Sequence, residues 1–355
     1  MIKTAFGDSK ASLFKLRNNN NIKLTLTDIG ASIVSLTVPT KKTSELDIVL
    51  GCDDPDAYYI CKSFFGATVG RYANRIGGGT FRLGDKFYEL DRNEEGNTLH
   101  SGFNPYSNRI WELVISESNN EPGLNGVNDD FVTFRLLSPD GDQGFPGLAE
   151  IKVKYTLSQK NEVIIEYYAI SDQTTIFNLT NHAYFNLGGH AAGSEAIMNH
   201  CLELDSDGFT ETDDTHISTG NIIPVAGTPM DFRAGRRIGE GINTEYPTIK
   251  ARAGYDHNFV INAPSLDKPA ARLWYDATGI ELQTFTDMPG IQFYSGNFLV
   301  QQKGKDSVTY SRNAAVCLET QFYPNSPNIP EFPSCVFPAG EPFISTTIYK
   351  IIIKK

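Results

Sequence analysis

From one end of this chain to the other, short runs of alternating apolar and polar residues follow one another with almost no helical periodicity between them. The runs include IKLTLTDIGASIVSLTV (22–38), DFVTFRLL (130–137), IKVKYTL (151–157), EVIIEYYAI (162–170) and HNFVI (257–261). ARLWYDATGIELQTFT (271–286), IQFYSGNFLV (291–300) and PFISTTIYKIII (342–353) continue the pattern. Val, Ile, Thr, Tyr and Phe dominate them, and a period of two sends successive side chains to opposite faces of a sheet. Turn chemistry separates them: Gly77-Gly78-Gly79, Gly84-Asp85, Pro139-Asp140-Gly141, Gly188-Gly189 and Ala277-Thr278-Gly279. Helix is expected only as a turn near 54–59 and a short stretch near 235–242. The pattern predicts an all-β fold, a large antiparallel β-sandwich with few short helices. No linker or change of composition interrupts the strands, so residues 1–355 are expected to form a single domain.

A chain of 355 residues, 40% of them hydrophobic, can bury roughly three quarters of its unfolded surface and needs no disulfide or metal staple. The formal net charge of −11 repels phosphate backbones and acidic membrane surfaces, which argues against nucleic acid and membrane as partners. A neutral small molecule meets no such penalty. The five cysteines, Cys52, Cys61, Cys201, Cys317 and Cys335, are scattered without a C-x-x-C pair, so free thiols in a reducing compartment are expected. No leader-like apolar stretch opens the sequence, and no run approaches the ~18 apolar residues of a membrane span. The one N-x-S/T sequon starts at Asn178, inside a segment singled out below, where a glycan would obstruct a site. These features point to the cytoplasm.

Two of the six histidines stand in contexts that packing alone explains poorly. His100 lies in GNTLHSG among small residues. His182 lies in NLTNHAYFNLGG, where Asn178, Asn181 and Asn186 crowd a strand that ends on Gly188-Gly189. A polar strand end beside glycines suits the convergent hydrogen bonds of a buried site; a structural histidine fits each context equally. Asp256 in GYDHNFVI and Glu319 in AAVCLETQFYPNSPN read either as turn or edge charges or as carboxylates facing a cleft. Arg75 in GRYANRIGGG reads as a surface residue or a ligand. No G-x-G-x-x-G opens a helix, and no Walker sequence, H-E-x-x-H, C-x-x-C or G-x-S-x-G is present, so neither nucleotide, resident metal nor serine-hydrolase chemistry is expected.

Taken together, these segments resemble the aldose 1-epimerase family. The likeness lies in GRYANRIGGGTF (70–81), NTLHSG (97–102), NLTNHAYFNLGG (178–189), DHNFVI (256–261), PGIQFYSGN (289–297) and CLETQFYPNSPN (317–328), in that order along the chain. Ser101 stands where the family more often has glycine. The resemblance implies a β-supersandwich and a mutarotase that interconverts the α and β anomers of free hexoses such as galactose and glucose. It implies Glu319 as general base and His182 as general acid. His100, Asn74, Arg75, Asp256 and Gln292 would hold the sugar.

That chemistry suits these residues. One group removes the proton of the C1 hydroxyl while another protonates the ring oxygen, the ring opens, C1 turns about the C1–C2 bond, and the reverse transfers close the other anomer. A carboxylate and an imidazole can do this with no cofactor. Arg75, Asn74 and Asp256 offer donors and an acceptor for vicinal hydroxyls, and Phe293 or Tyr184 is a candidate to cover the apolar face of the sugar. Three alternatives stay open: a glycoside hydrolase using Asp256 and Glu319, a hexose-phosphate mutarotase, and a non-catalytic sugar-binding module. The phosphate of the second would need basic residues, although the one basic cluster, Arg233, Arg236 and Arg237, lies outside the matched segments and reads as a solvated face. A monomer is expected, with a dimer as the alternative.

Overall fold

Residues 162–171 show how the chain's alternation becomes architecture: Val163, Ile165, Tyr167, Ala169 and Ser171 are buried, while the residues between them are only partly so. Such a strand covers a core with one face and meets solvent with the other. The computed structural model describes residues 1–114 and 129–354, and in it this strand lies within a nine-stranded sheet. The sheet runs, in spatial order, Glu112–Val114, Asp130–Ser138, Ala149–Leu157, Glu162–Ser171, Phe343–Ile353, Ile280–Thr286, Ala271–Tyr275, Cys201–Leu204 and Arg236–Arg237. A six-stranded sheet runs Tyr184–Phe185, Val316–Gln321, Gly290–Tyr294, Asp256–Val260, Gly208–Thr212 and Ser218–Pro224. A five-stranded sheet is built from the first strands, Ile2–Ala5 to Leu46–Asp47. Neighbouring strands in all three sheets pair antiparallel.

All three sheets send side chains into one hydrophobic core. Leu24 and Leu36 enter it from the five-stranded sheet, Val153, Ile165 and Leu282 from the nine-stranded sheet, and Phe259, Phe293 and Leu318 from the six-stranded sheet. The two larger sheets meet where the Tyr349 hydroxyl donates to the Leu318 carbonyl at 2.9 Å and the Phe185 and Tyr349 rings stand 4.9 Å apart, edge to face. This is the all-β sandwich anticipated from the strand pattern.

Several boundaries differ from the sequence reading for local reasons. The run 22–38 is two strands, Lys23–Thr27 and Ser32–Val38. Gly30 turns between them at φ 63°, where a Cβ would come within 2.3 Å of the Ser107 carbonyl oxygen. The run 291–300 stops pairing at Tyr294. The chain then turns through Gly296 at φ 67°. The helix expected near 54–59 is Pro55–Ile60, with the Asp54 side chain capping the Asp56 amide. The expectation of helix over 235–242 is corrected: Arg236–Arg237 pairs with Cys201–Leu202, and only one 3₁₀ turn, Ile238–Glu240, follows. Glycines at 235, 239 and 241 remove the propensity a longer helix needs. Helices Gly193–Met198 and Pro247–Arg252 were missed because six residues are too few to reveal a 3.6-residue period.

Candidate active site

The three central strands of the six-stranded sheet are buried on both faces, and alternation sorts their side chains into two chemistries. Val316, Leu318, Ile291, Phe293 and Phe259 enter the main core. The intervening Glu319, Gln292, Tyr294 and Asp256 line a cavity of about 420 Å³ on the opposite face, a size suited to a small ligand. Register brings them together: Asn258, Gln292 and Glu319 stand side by side across three strands, with Asp256, Tyr294 and Cys317 as the adjacent row.

The other side of the cavity comes from loops. The ladder Thr98–Ile76 and Leu99–Arg75 draws the histidine segment against the arginine segment. Asn74 and His100 then bond reciprocally: the Asn74 amide donates to His100 Nδ1, and the His100 amide to the Asn74 carbonyl, each at 3.1 Å. Asn74, His100 and Ser101 all carry positive φ, 66°, 49° and 73°, a conformation that favours glycine. The serine offsets its strain, since its hydroxyl accepts from the Tyr72 amide at 2.8 Å and donates to the Tyr72 carbonyl at 3.0 Å. His182 arrives just before the strand Tyr184–Phe185, which pairs with Val316–Gln321. Its ring stacks on Tyr184 at 5.0 Å, and Phe64 packs against both His100 and His182.

All seven residues singled out in the sequence, Glu319, His182, His100, Asn74, Arg75, Asp256 and Gln292, line this one cavity. His182 Nε2 lies 3.7 Å from Glu319 Oε1, while Glu319 Oε2 has no hydrogen-bond partner. Burial, reinforced by the Asp256 charge, pushes the Glu319 carboxyl well above its usual range, with Arg75 opposing. Burial lowers His182 to about 4, and burial with the neighbouring His182 and Arg75 pushes His100 far down as well. The 3.7 Å approach has the geometry of an ion pair, yet burial favours the uncharged arrangement. Burial therefore places the pair's single proton on Glu319.

Two residues the sequence did not single out hold Arg75 and Asp256 in place. Arg75 donates to both Glu94 carboxylate oxygens, at 2.5 and 2.8 Å, so part of its guanidinium fork is committed to protein. Arg252, at the end of the helix Pro247–Arg252, donates to Asp256 Oδ2 at 3.3 Å, and Gln292 Nε2 donates to Oδ1 at 2.7 Å. Burial works against the Asp256 charge most strongly, but Arg252 and Arg75 together prevail and hold the carboxyl below its usual range. Burial also lowers Arg252, to about 10. Short spacing hinted at Arg252, four residues before Asp256; nothing in the sequence tied Glu94 to Arg75.

Two sequence expectations need correction. Phe293 does not face the cavity, for its ring stacks on Tyr255 at 4.9 Å inside the core, whereas Tyr184, Tyr294, Phe64 and the exposed Phe298 line the cavity. Asn178, Asn181 and Asn186 are structural. Their side-chain amides donate to the backbone carbonyls of Ala73, Gly66 and Ala314. The cluster Arg233, Arg236 and Arg237 lies outside the cavity, in keeping with its reading as a solvated face, with Arg233 paired to Asp207 and Asp231 and Arg236 to Glu240.

Comparison with known proteins gives the family and the fold. Residues 12–350 match the family model described as aldose 1-epimerase. The chain is 37% identical over 348 residues to galactose mutarotase of Mus musculus, covering 98% of this chain and 96% of that protein. It is 35% identical over 343 residues to aldose 1-epimerase of Escherichia coli K12, covering 96% and 95%. Among solved structures, an aldose epimerase homologue from C. elegans superposes with a TM-score of 0.86 at 32% identity, covering 97% of this chain and 100% of the other. Galactose 1-epimerase from Lactobacillus acidophilus gives 0.83 at 25% identity, covering 99% and 97%.

Proposed function

Because the chain belongs to the aldose 1-epimerase family and is a mutarotase of hexoses, we propose that Glu319 takes the proton from the C1 hydroxyl and His182 delivers one to the ring oxygen. The observation that carries this assignment is the 3.7 Å approach of the two groups in a cavity that also holds the polar side chains of Asn74, Arg75, His100, Asp256 and Gln292.

One proton shared between the two groups is what the reaction needs. A sugar whose O1–H donates to the unpartnered Glu319 Oε2 favours the carboxylate, and a ring oxygen accepting from His182 Nε2–H favours the imidazolium. Binding thus moves the proton from Glu319 to His182 and readies the pair. Glu319 then accepts the O1 proton as His182 gives its own to O5, and the C1–O5 bond breaks to leave the open-chain aldehyde. Rotation about C1–C2 and return of both protons close the other anomer. His100, Asn74, Arg75, Asp256 and Gln292 grip the remaining hydroxyls so that C1 alone is free to turn. Tyr184 and Phe64 flank the imidazole and keep water from it.

We assign residues 1–355 to one domain, supported by the main core, to which all three large sheets contribute. A cytoplasmic enzyme is supported by five free cysteines, and no described helix is long and apolar enough to cross a membrane. We take it to be a monomer, which light scattering on the purified chain checks. The deciding experiment for the function is polarimetry on freshly dissolved α-D-galactose and α-D-glucose. The optical rotation should reach equilibrium faster in proportion to enzyme, and an aryl glycoside should release no phenol. No acceleration over buffer, or phenol release, ends this reading.

A further inference from the structure

The catalytic pair has a neighbour that anomerisation does not use. Cys317 precedes Glu319 by two residues on the same strand and so shares its face. Its Sγ lies 3.5 Å from His182 Nδ1, across 135 residues of sequence. A ring nitrogen of His182, the Cys317 sulfur and a Glu319 carboxylate oxygen all lie within 4.8 Å of one another. Among the described residues this is the one such histidine, cysteine and carboxylate grouping. All three residues are buried, and the second Glu319 oxygen has no partner.

Moving a proton from O1 to O5 needs a carboxylate and an imidazole but no thiol. Sulfur, nitrogen and oxygen together form a donor set that suits zinc, with Zn–S about 2.3 Å and Zn–N and Zn–O about 2.0–2.2 Å. Ligand atoms around such an ion stand ~3.5 Å apart. The 3.5 Å approach is to His182 Nδ1 and the 3.7 Å approach to Nε2; one ion takes one ring nitrogen, so the side chains must close from within 4.8 Å of one another to that spacing. His182 and Glu319 line the cavity, so a fourth position would open on that side, as in sites with three protein ligands.

We propose that His182, Cys317 and Glu319 form a binding site for a thiophilic divalent cation, Zn²⁺ before others, whose occupation switches the enzyme off in competition with sugar. The inference rests on the assignment of Glu319 and His182 made above. The cation is an inhibitor and not a participant in the reaction. Binding forms one bond each to sulfur, nitrogen and oxygen, the thiol proton passes to the buffer, and nothing is oxidised. Mg²⁺ is refused, because it takes oxygen ligands in an octahedron.

The test combines a spectroscopic reading with inhibition. Co²⁺ added to the metal-free protein should bind once per chain and give a sulfur-to-cobalt charge-transfer band in the near ultraviolet, which Zn²⁺ abolishes. Cys317→Ala and Cys317→Ser should each remove the band and weaken Co²⁺ binding at least tenfold, with circular dichroism confirming the fold. Zn²⁺ should stop mutarotation, EDTA should restore it, and the apparent inhibition constant should rise in proportion to galactose concentration. A band that persists in both Cys317 variants, inhibition indifferent to galactose, or equal inhibition by Mg²⁺ overturns the proposal. The two assignments fail separately. If Glu319→Gln stays active while wild-type protein shows the band, the general-base role is wrong and the cation site stands. If Glu319→Gln is inactive and wild-type protein shows no band, the reverse holds.

Discussion

The two faces of the six-stranded sheet carry the same backbone and nearly the same burial, yet they do opposite work. On one face Leu318, Phe293 and Phe259 pack into the main core. On the other, Glu319, Gln292, Asp256 and Asn258 are just as hidden from solvent. That second face also contains unpartnered polar atoms, Glu319 Oε2, Gln292 Oε1 and both amide atoms of Asn258. Burying polar groups without partners costs free energy, so the polar face opposes stability while the apolar face supplies it. Burial alone therefore does not separate core from site. The chemistry of alternate residues does.

The largest effect that tests this division is on turnover. Glu319→Gln and His182→Asn should each lower kcat by about 10²–10⁴-fold, measured by polarimetry at saturating sugar. Their unfolding midpoints should stay close to the parent's. Near-parental kcat in either variant removes that residue from proton transfer.

One residue away, Leu318→Ala should do the converse. Deleting this core side chain should cost about 2–5 kcal/mol of stability in urea unfolding, with kcat per folded molecule little changed. Stability loss and activity loss of equal size in both Leu318→Ala and Glu319→Gln would show the faces to be inseparable.

Asp256→Asn is expected to fall between these extremes. It removes a hydroxyl acceptor and leaves buried Arg252 beside a neutral amide, so kcat/KM should drop about 10–100-fold, or ~1.4–2.7 kcal/mol in transition-state terms. Most of the loss should appear in KM; an unchanged KM would take Asp256 off the list of sugar contacts.

The smallest effect is expected from pH near neutrality. The active form holds one proton between Glu319 and His182. A second proton joins the pair only as pH falls toward the His182 value of about 4, and the last leaves only above the raised value of Glu319. The profile of kcat/KM should be bell-shaped, with its acid limb falling toward the His182 value of about 4 and its alkaline limb set by the raised Glu319 carboxyl. A sharp optimum between those limbs would mean that another group controls the rate.

Much of this was readable in advance. Strand alternation pointed to an antiparallel sandwich, and all seven residues chosen from the sequence line one cavity. Alternation also excludes Phe293 as a cover for the sugar: Gln292 and Phe293 are adjacent in a strand, so they face opposite ways, and a cavity-facing Gln292 turns Phe293 into the core. The asparagines around His182 misled because a polar cluster looks the same whether it serves a ligand or ties loops together. Their buried amides tie the backbone.

The sequence by itself determined which segments become strands and which residue types stand beside one another along them, because both follow from a local period and local turn chemistry. Only the tertiary structure decided who meets whom across the chain: Arg75 with Glu94, Asp256 with Arg252, and His182 with Cys317 and Glu319. The last of these depends on the register between short strands that are far apart in the chain. The shifts of Glu319 and His182 arise there too, since burial and neighbouring charge are set by packing and not by residue order.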